Sequence, residues 1–219
     1  MAEAKICGLT DRAGVDAALA GRARFLGFVA FLAASPRNLG LEAAAALAAP
    51  ARGRAEIVVL TVNASDAQLD AIANIVKPDW IQLHGSEPPS RIAAVRRYAG
   101  KGVIRAAGVA SAADLDAAAA LEPLADMLLL DAKAPKGADL PGGNGLAFDW
   151  KILKGRAPRR PWLLAGGLTP ANVSQAIAVS GAPIVDVSTG VESGPGVKEP
   201  ALITAFLAAA SGVRPALPV

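Results

Sequence analysis

The sequence predicts an eight-stranded parallel β/α barrel (an α/β, TIM-type fold), and three observations lead there. Eight strand-like runs alternate with eight helix-like ones along the 219 residues. The strand-like runs are nearly continuously apolar, as expected when both faces of a parallel sheet are covered. The stretch Pro161–Lys198 reads as strand, Gly-rich turn, helix, strand and second Gly-rich turn. Its two strand ends present backbone N–H groups that no bulky side chain obstructs. Paired sites of that kind hold a phosphate dianion after the last two strands of a barrel. A doubly wound open sheet is the competing architecture. It leaves two edge strands, and none of these runs carries the charge or proline expected of an edge. The length suits one α/β domain spanning 1–219.

In chain order, Ala4–Ile6 is a short first strand ending at Cys7-Gly8, and Thr10-Asp11 caps a helix through Leu19 that Gly21 ends. Phe25–Leu32 is the second strand and runs into the loop Ala33–Gly40; Leu41–Ala49 is an Ala-rich helix. Glu56–Val62 is β-branched, and Ser65 caps Asp66–Val76. Trp80–Leu83 ends in His84-Gly85-Ser86, and Pro88–Tyr98 is helical with Gly100 as its stop. Gly102–Val109 is the fifth strand, Ser111 caps a helix through Leu121, and Met127–Leu130 ends at Asp131. A loop rich in Lys, Gly and Pro, Ala132–Phe148, precedes a short helix at Asp149–Lys154. Trp162–Leu164 then leads to Gly166-Gly167, with Thr169 as N-cap and Pro170 at the first helical position, where its missing N–H costs nothing. Ile184–Val187 is the eighth strand, broken by Ser188-Thr189-Gly190, and Pro200–Ser211 is the closing helix.

Composition narrows the function classes. Hydrophobic residues make up 53% and charged residues 19%, which supports a substantial core and argues against disorder. A net charge of +3 is too small and scattered to indicate nucleic acid, and the basic run Lys154–Arg160 reads as a solvated loop. The longest apolar run, Phe25–Ala34, is too short to span a bilayer. The start MAEAKICG shows no signal-peptide core, and one cysteine cannot form an internal disulfide, so a cytoplasmic location is expected.

Catalytic groups of a barrel lie at the C-terminal strand ends. That placement selects Cys7, Arg37, Gln82, His84, Asp131, Asp186 and Ser188. Lys5 shares the side of Cys7 by the two-residue period, so its charge is expected to favour a thiolate and make Cys7 a base or nucleophile; a small buried hydrophobe is the plainer reading. Asp131 closes an all-apolar run and reads either as a turn residue or as a general acid that begins protonated. Arg37 could clamp a carboxylate or simply be solvated. His84 is the single histidine, so no His-rich metal site can be built. Gly142–Gly145 could form a mobile lid or a plain loop.

Seven motifs in order, KICGLT, SPRNL, IQLHG, LLLDA, GGNGLAFDW, AGGLTPANV and VDVSTGVESGPGVK, cover nearly the whole chain and resemble the phosphoribosylanthranilate isomerase family of tryptophan biosynthesis. The resemblance implies a cofactor-free barrel, monomeric or homodimeric, whose small-molecule substrate is N-(5-phosphoribosyl)anthranilate. The implied reaction is an Amadori rearrangement to 1-(2-carboxyphenylamino)-1-deoxyribulose 5-phosphate. It assigns Cys7 as general base and Asp131 as general acid. Arg37 matches the arginine at the anthranilate end, and Asp186 an acid near the substrate amine. Gln82 and His84 join the substrate-binding set, and Gly166, Gly167, Ser188, Thr189 and Gly190 match the phosphate cradle. An indole-glycerol-phosphate synthase would want a catalytic lysine and glutamate at strand ends, and no such pair stands there. A metal-dependent sugar-phosphate epimerase is disfavoured by the single histidine. A non-catalytic phosphate binder would tolerate the loss of Cys7 and Asp131.

Overall fold

Eight parallel strands follow one another round a closed ring: β1 (Glu3–Cys7), β2 (Phe25–Ala30), β3 (Glu56–Thr61), β4 (Trp80–Leu83), β5 (Gly102–Val109), β6 (Met127–Ala132), β7 (Trp162–Leu164) and β8 (Ile184–Val187). Each pairs with the next, and β1 pairs with both β2 and β8, which closes the barrel. This computed structural model describes residues 1–133, 145 and 147–212. Among the described residues seven α-helices lie outside: α1 (Arg12–Ala20), α2 (Leu41–Ala48), α3 (Asp66–Ile75), α4 (Pro89–Val95), α5 (Ala112–Ala119), α6 (Val173–Ser180) and α7 (Pro200–Ser211). Between β6 and β7 the described residues hold a 3-10 turn, Trp150–Leu153, capped by the Asp149 carboxylate.

Local chemistry accounts for most element ends. Asp11 accepts from the Gly14 N–H to start α1, and Ser65 with Gln68 forms a reciprocal capping box on α3. Phe31 stops β2 two residues before the expected end because it takes a φ of 57°, outside the range a strand can use. Two expected ends are corrected at the active mouth. β1 includes Cys7 and β6 includes Asp131 and Ala132, so both residues sit on strands and not in loops. The Thr169 cap with Pro170 at the first helical position does not form. Instead Thr169–Asn172 makes a turn, and α6 begins at Val173 with Asn172 before it. The expected lid over 132–148 falls for the most part outside the described residues.

The two-residue period decides what faces the axis. Register runs without a break from Lys5↔Asp186 through Ile184↔Leu163, Leu163↔Leu129 and Leu129↔Ala106 to Ile104↔Gln82 and Leu60↔Gln82. Phe25, Val58, Trp80, Ile104, Met127, Leu129 and Leu163 thereby fill the lower interior, with Phe25 and Trp80 edge-to-face at 6.4 Å. Alternate residues such as Ile6, Leu26, Phe28 and Val59 point outward and join the helices in a second core. Near the mouth the filling changes to Cys7, Val29 and Leu60.

Gly27 makes that change possible. It pairs with Cys7, and a Cβ there would lie 3.1 Å from the Cys7 Sγ and 3.2 Å from the Lys5 Cε. Gly27→Ala gains about 0.4–1 kcal/mol from a stiffer unfolded chain. Overpacking costs about 1–3 kcal/mol. The urea unfolding midpoint is therefore expected to fall, and a raised midpoint would contradict this packing.

Candidate active site

The C-terminal ends of the strands surround a cavity of about 320 Å³. Cys7 enters it from β1, Gln82 and His84 from the end of β4, Asp131 from β6 and Asp186 from β8. Arg37 reaches it from the loop after β2, and the turns Gly166-Gly167 and Ser188-Thr189-Gly190 complete its rim. All eleven positions singled out from the sequence therefore line one cavity, with Cys7 and Asp131 three strands apart around the ring through β8 and β7.

Charge inside the barrel is arranged in pairs. Lys5 has no solvent exposure, and its Nζ donates to Asp186 Oδ1 at 2.9 Å. Burial works against the Lys5 ammonium, but the Asp186 charge beside it wins and holds its pKa above the ordinary lysine value. The expectation that Lys5 turns Cys7 into a thiolate is corrected here. Burial is the largest influence on Cys7 and raises its pKa; Lys5 pulls the other way, and the Asp186 carboxylate partly cancels it. In the unliganded barrel the resting form is a thiol.

A second buried network joins the loop after β2 to the turn after β8. Arg37 lends Nε and Nη2 to the two carboxylate oxygens of Glu192 at 2.7 and 2.8 Å, and Nη2 also donates to Thr189 Oγ1. Lys198 Nζ donates to Glu192 Oε1 and to the Ser188 carbonyl. Burial tends to raise the Glu192 pKa, yet the hydrogen bonds from Arg37 and Lys198 prevail and hold it below the usual carboxylate range. Arg37 is thus not solvated: one edge of its fork is occupied, and Nη1 makes no hydrogen bond among the described residues. A two-residue strand, Asn38–Leu39, pairs with β2 and fixes the loop that carries Arg37.

The glycine turns interlock. A Cβ on Gly190 would come 1.9 Å from the Leu168 carbonyl oxygen, and Gly166 takes a φ of 89° against the Ala132 backbone. Asn172 braces the first turn, donating to the Gly167 carbonyl at 2.9 Å and accepting from the Thr169 N–H at 2.8 Å. The N–H groups of Gly166 and Gly167 are used by no hydrogen bond among the described residues. Such a nest of amides suits a phosphate dianion. Across the mouth, Gln82 Nε2 lies 2.9 Å from His84 Nδ1, and His84 Nε2 lies 3.3 Å from Asp131 Oδ2. Glu87 and Arg105 pin the loop that carries His84, through the Gly85 N–H and the Leu83 and Gly85 carbonyls.

Residues 4–209 match the family model described as N-(5'phosphoribosyl)anthranilate (PRA) isomerase. The chain belongs to that family. The N-(5'-phosphoribosyl)anthranilate isomerase of Caulobacter sp. (strain K31) is 52% identical over 214 residues, 97% of this chain and 100% of its own. The crystal structure of the Thermotoga maritima phosphoribosyl anthranilate isomerase superposes with a TM-score of 0.86 at 34% identity, covering 97% of this chain and 100% of that one. A family member solved in complex with reduced 1-(o-carboxyphenylamino)-1-deoxyribulose 5-phosphate gives a TM-score of 0.83 at 31% identity, with the same coverage.

Glu192, Lys198 and Asn172 escaped sequence reasoning. The available signal was the pair of charges flanking Ser193–Val197, which pair as a small hairpin, Glu192–Gly194 with Val197–Lys198. Cys7 is the only cysteine. The ultraviolet absorbance of its thiolate, taken as the difference from Cys7→Ser, is expected to titrate above the ordinary thiol value of 9.0. A midpoint below it would show that Lys5 outweighs burial.

Proposed function

We propose that this mouth carries out the isomerisation for which the family is named, the Amadori rearrangement of N-(5'-phosphoribosyl)anthranilate, with Asp131 as acid and Cys7 as base. The observation that carries the reading is the meeting of a buried thiol and a carboxyl in one cavity that is also lined by a nest of amides and an arginine. The phosphate is held by the Gly166-Gly167 and Ser188–Gly190 turns. The anthranilate carboxylate meets the unengaged Nη1 of Arg37, which Glu192 keeps aimed. Asp186 lies near the amine. Holding both ends places the sugar between acid and base.

Asp131 gives its proton to the ribose ring oxygen, and the bond from that oxygen to C1 breaks as the amine nitrogen supplies its pair, leaving an open-chain iminium. The Asp131 carboxylate left behind takes the proton of the Cys7 thiol, and the resulting thiolate removes the proton on C2; those electrons neutralise the iminium to an enolamine, which tautomerises to the ketone. Cys7 is then a thiol again and Asp131 a carboxylic acid, which is the starting state. The raised pKa of Cys7 fits this order. The base is needed only once a cationic iminium lies over it, and that charge joins Lys5 in favouring the thiolate.

Every residue invoked comes from one chain and no cofactor enters, so a monomer suffices and a homodimer needs no shared site. Among the described residues no helix is long and apolar enough to cross a membrane. That observation and the unpaired cysteine are consistent with a cytoplasmic enzyme.

With substrate generated in situ and its fluorescence followed, Cys7→Ser and Asp131→Asn are each expected to lose about 10²–10⁴-fold in kcat. Activity should persist in EDTA. Unchanged turnover in both variants would remove the assigned acid and base.

A further inference from the structure

We infer that Gln82 and His84 form a positioning pair for Asp131 instead of a substrate-binding pair, with Gln82 fixing the tautomer of His84 so that its Nε2–H is directed at Asp131 Oδ2. The inference rests on Asp131 being the acid. Gln82 has no solvent exposure, and its amide nitrogen lies 2.9 Å from His84 Nδ1. With the amide nitrogen donating in this orientation, Nδ1 is the bare nitrogen and the ring proton sits on Nε2. Nε2 lies 3.3 Å from Asp131 Oδ2, and Asp131 Oδ1 is engaged by no described residue.

That geometry divides the labour of the two carboxyl oxygens. Oδ2 is the oxygen that faces His84 Nε2, so the acidic proton is assigned to Oδ1, free to pass to the sugar. After transfer, the same N–H stabilises the carboxylate that remains. Sterics alone do not hold the ring in this attitude. His84 and Asp131 also line a second, smaller cavity of about 190 Å³, so the His84 residue borders open space there as well. Its orientation rests on the hydrogen bond from Gln82, whose own Oε1 is buried without a partner among the described residues. A side chain that leaves one of its polar atoms orphaned while spending the other on a neighbour is placed for that neighbour.

Because the chain contains one histidine, a ring-¹⁵N spectrum reads His84 alone. The expected spectrum shows a protonated Nε2 and a bare Nδ1. Gln82→Glu turns the donor into an acceptor and should move the proton to Nδ1. In kinetics, His84→Ala and Gln82→Glu should lower kcat by about 10–100-fold, a share of the 10²–10⁴ ascribed to acid catalysis, with KM within about threefold. His84→Gln, which can still present an N–H to Asp131, should recover about tenfold or more of the loss in His84→Ala. Three results would overturn the inference: a wild-type ring protonated on Nδ1, variants that raise KM at unchanged kcat as substrate-binding residues would, or His84→Gln no better than His84→Ala at wild-type far-ultraviolet dichroism. Full activity in Asp131→Asn would instead remove the acid assignment beneath it, so the two failures are distinguishable.

Discussion

A lysine ammonium with no solvent exposure lies inside this barrel, and it is tolerable there because Asp186 meets it at 2.9 Å. The two residues stand 181 positions apart, on the first and last strands, so their pairing coincides with the seam at which the sheet closes. Breaking such a pair by removing one partner leaves a buried charge uncompensated and costs about 3–5 kcal/mol. That is a large part of the 5–15 kcal/mol that holds a domain together. The seam therefore constrains register, and register constrains everything at the mouth. Cys7 lies two residues beyond Lys5 on the inward face, and the turn at Ser188–Gly190 begins two residues beyond Asp186.

The same seam explains the state of Cys7. A free cation two residues away on the same face would have lowered its pKa, but Lys5 is already committed to a carboxylate whose repulsion of a thiolate offsets part of the attraction from Lys5. Burial then decides the sign. A base that is quiet in the empty barrel and favoured only by a cationic intermediate suits a reaction whose proton abstraction comes second. Farther out, the Arg37–Glu192–Lys198 network ties the loop after β2 to the turn after β8. The two grips proposed for the substrate are thereby mechanically joined.

Much of this was legible in the sequence because strand signals are local. Trp80–Leu83, Gly102–Val109, Trp162–Leu164 and Ile184–Val187 match the expected runs residue for residue, since apolar runs between turn residues leave little choice. Placement at strand ends also selected seven residues that share one cavity. What was hidden depends on contacts distant in the chain. Thr169 and Pro170 look like a helix start, but Asn172 bonds back to Gly167 and delays α6 to Val173. Glu192 and Lys198 look like solvated loop charges until the fold brings Arg37 between them and the cavity. The charge of Lys5 was visible, but its commitment to Asp186 was not.

The central claim is that Cys7 and Asp131 address one sugar whose two ends are held by the glycine turns and Arg37. A crystal structure of this protein with the reduced product analogue tests it most directly. The account predicts the phosphate on the Gly166-Gly167 and Ser188–Gly190 amides, the carboxylate at Arg37, and the sugar chain passing between the Cys7 sulfur and Asp131 Oδ1. A ligand seated with its carboxylate on the glycine turns, or with its sugar out of reach of either side chain, would contradict it.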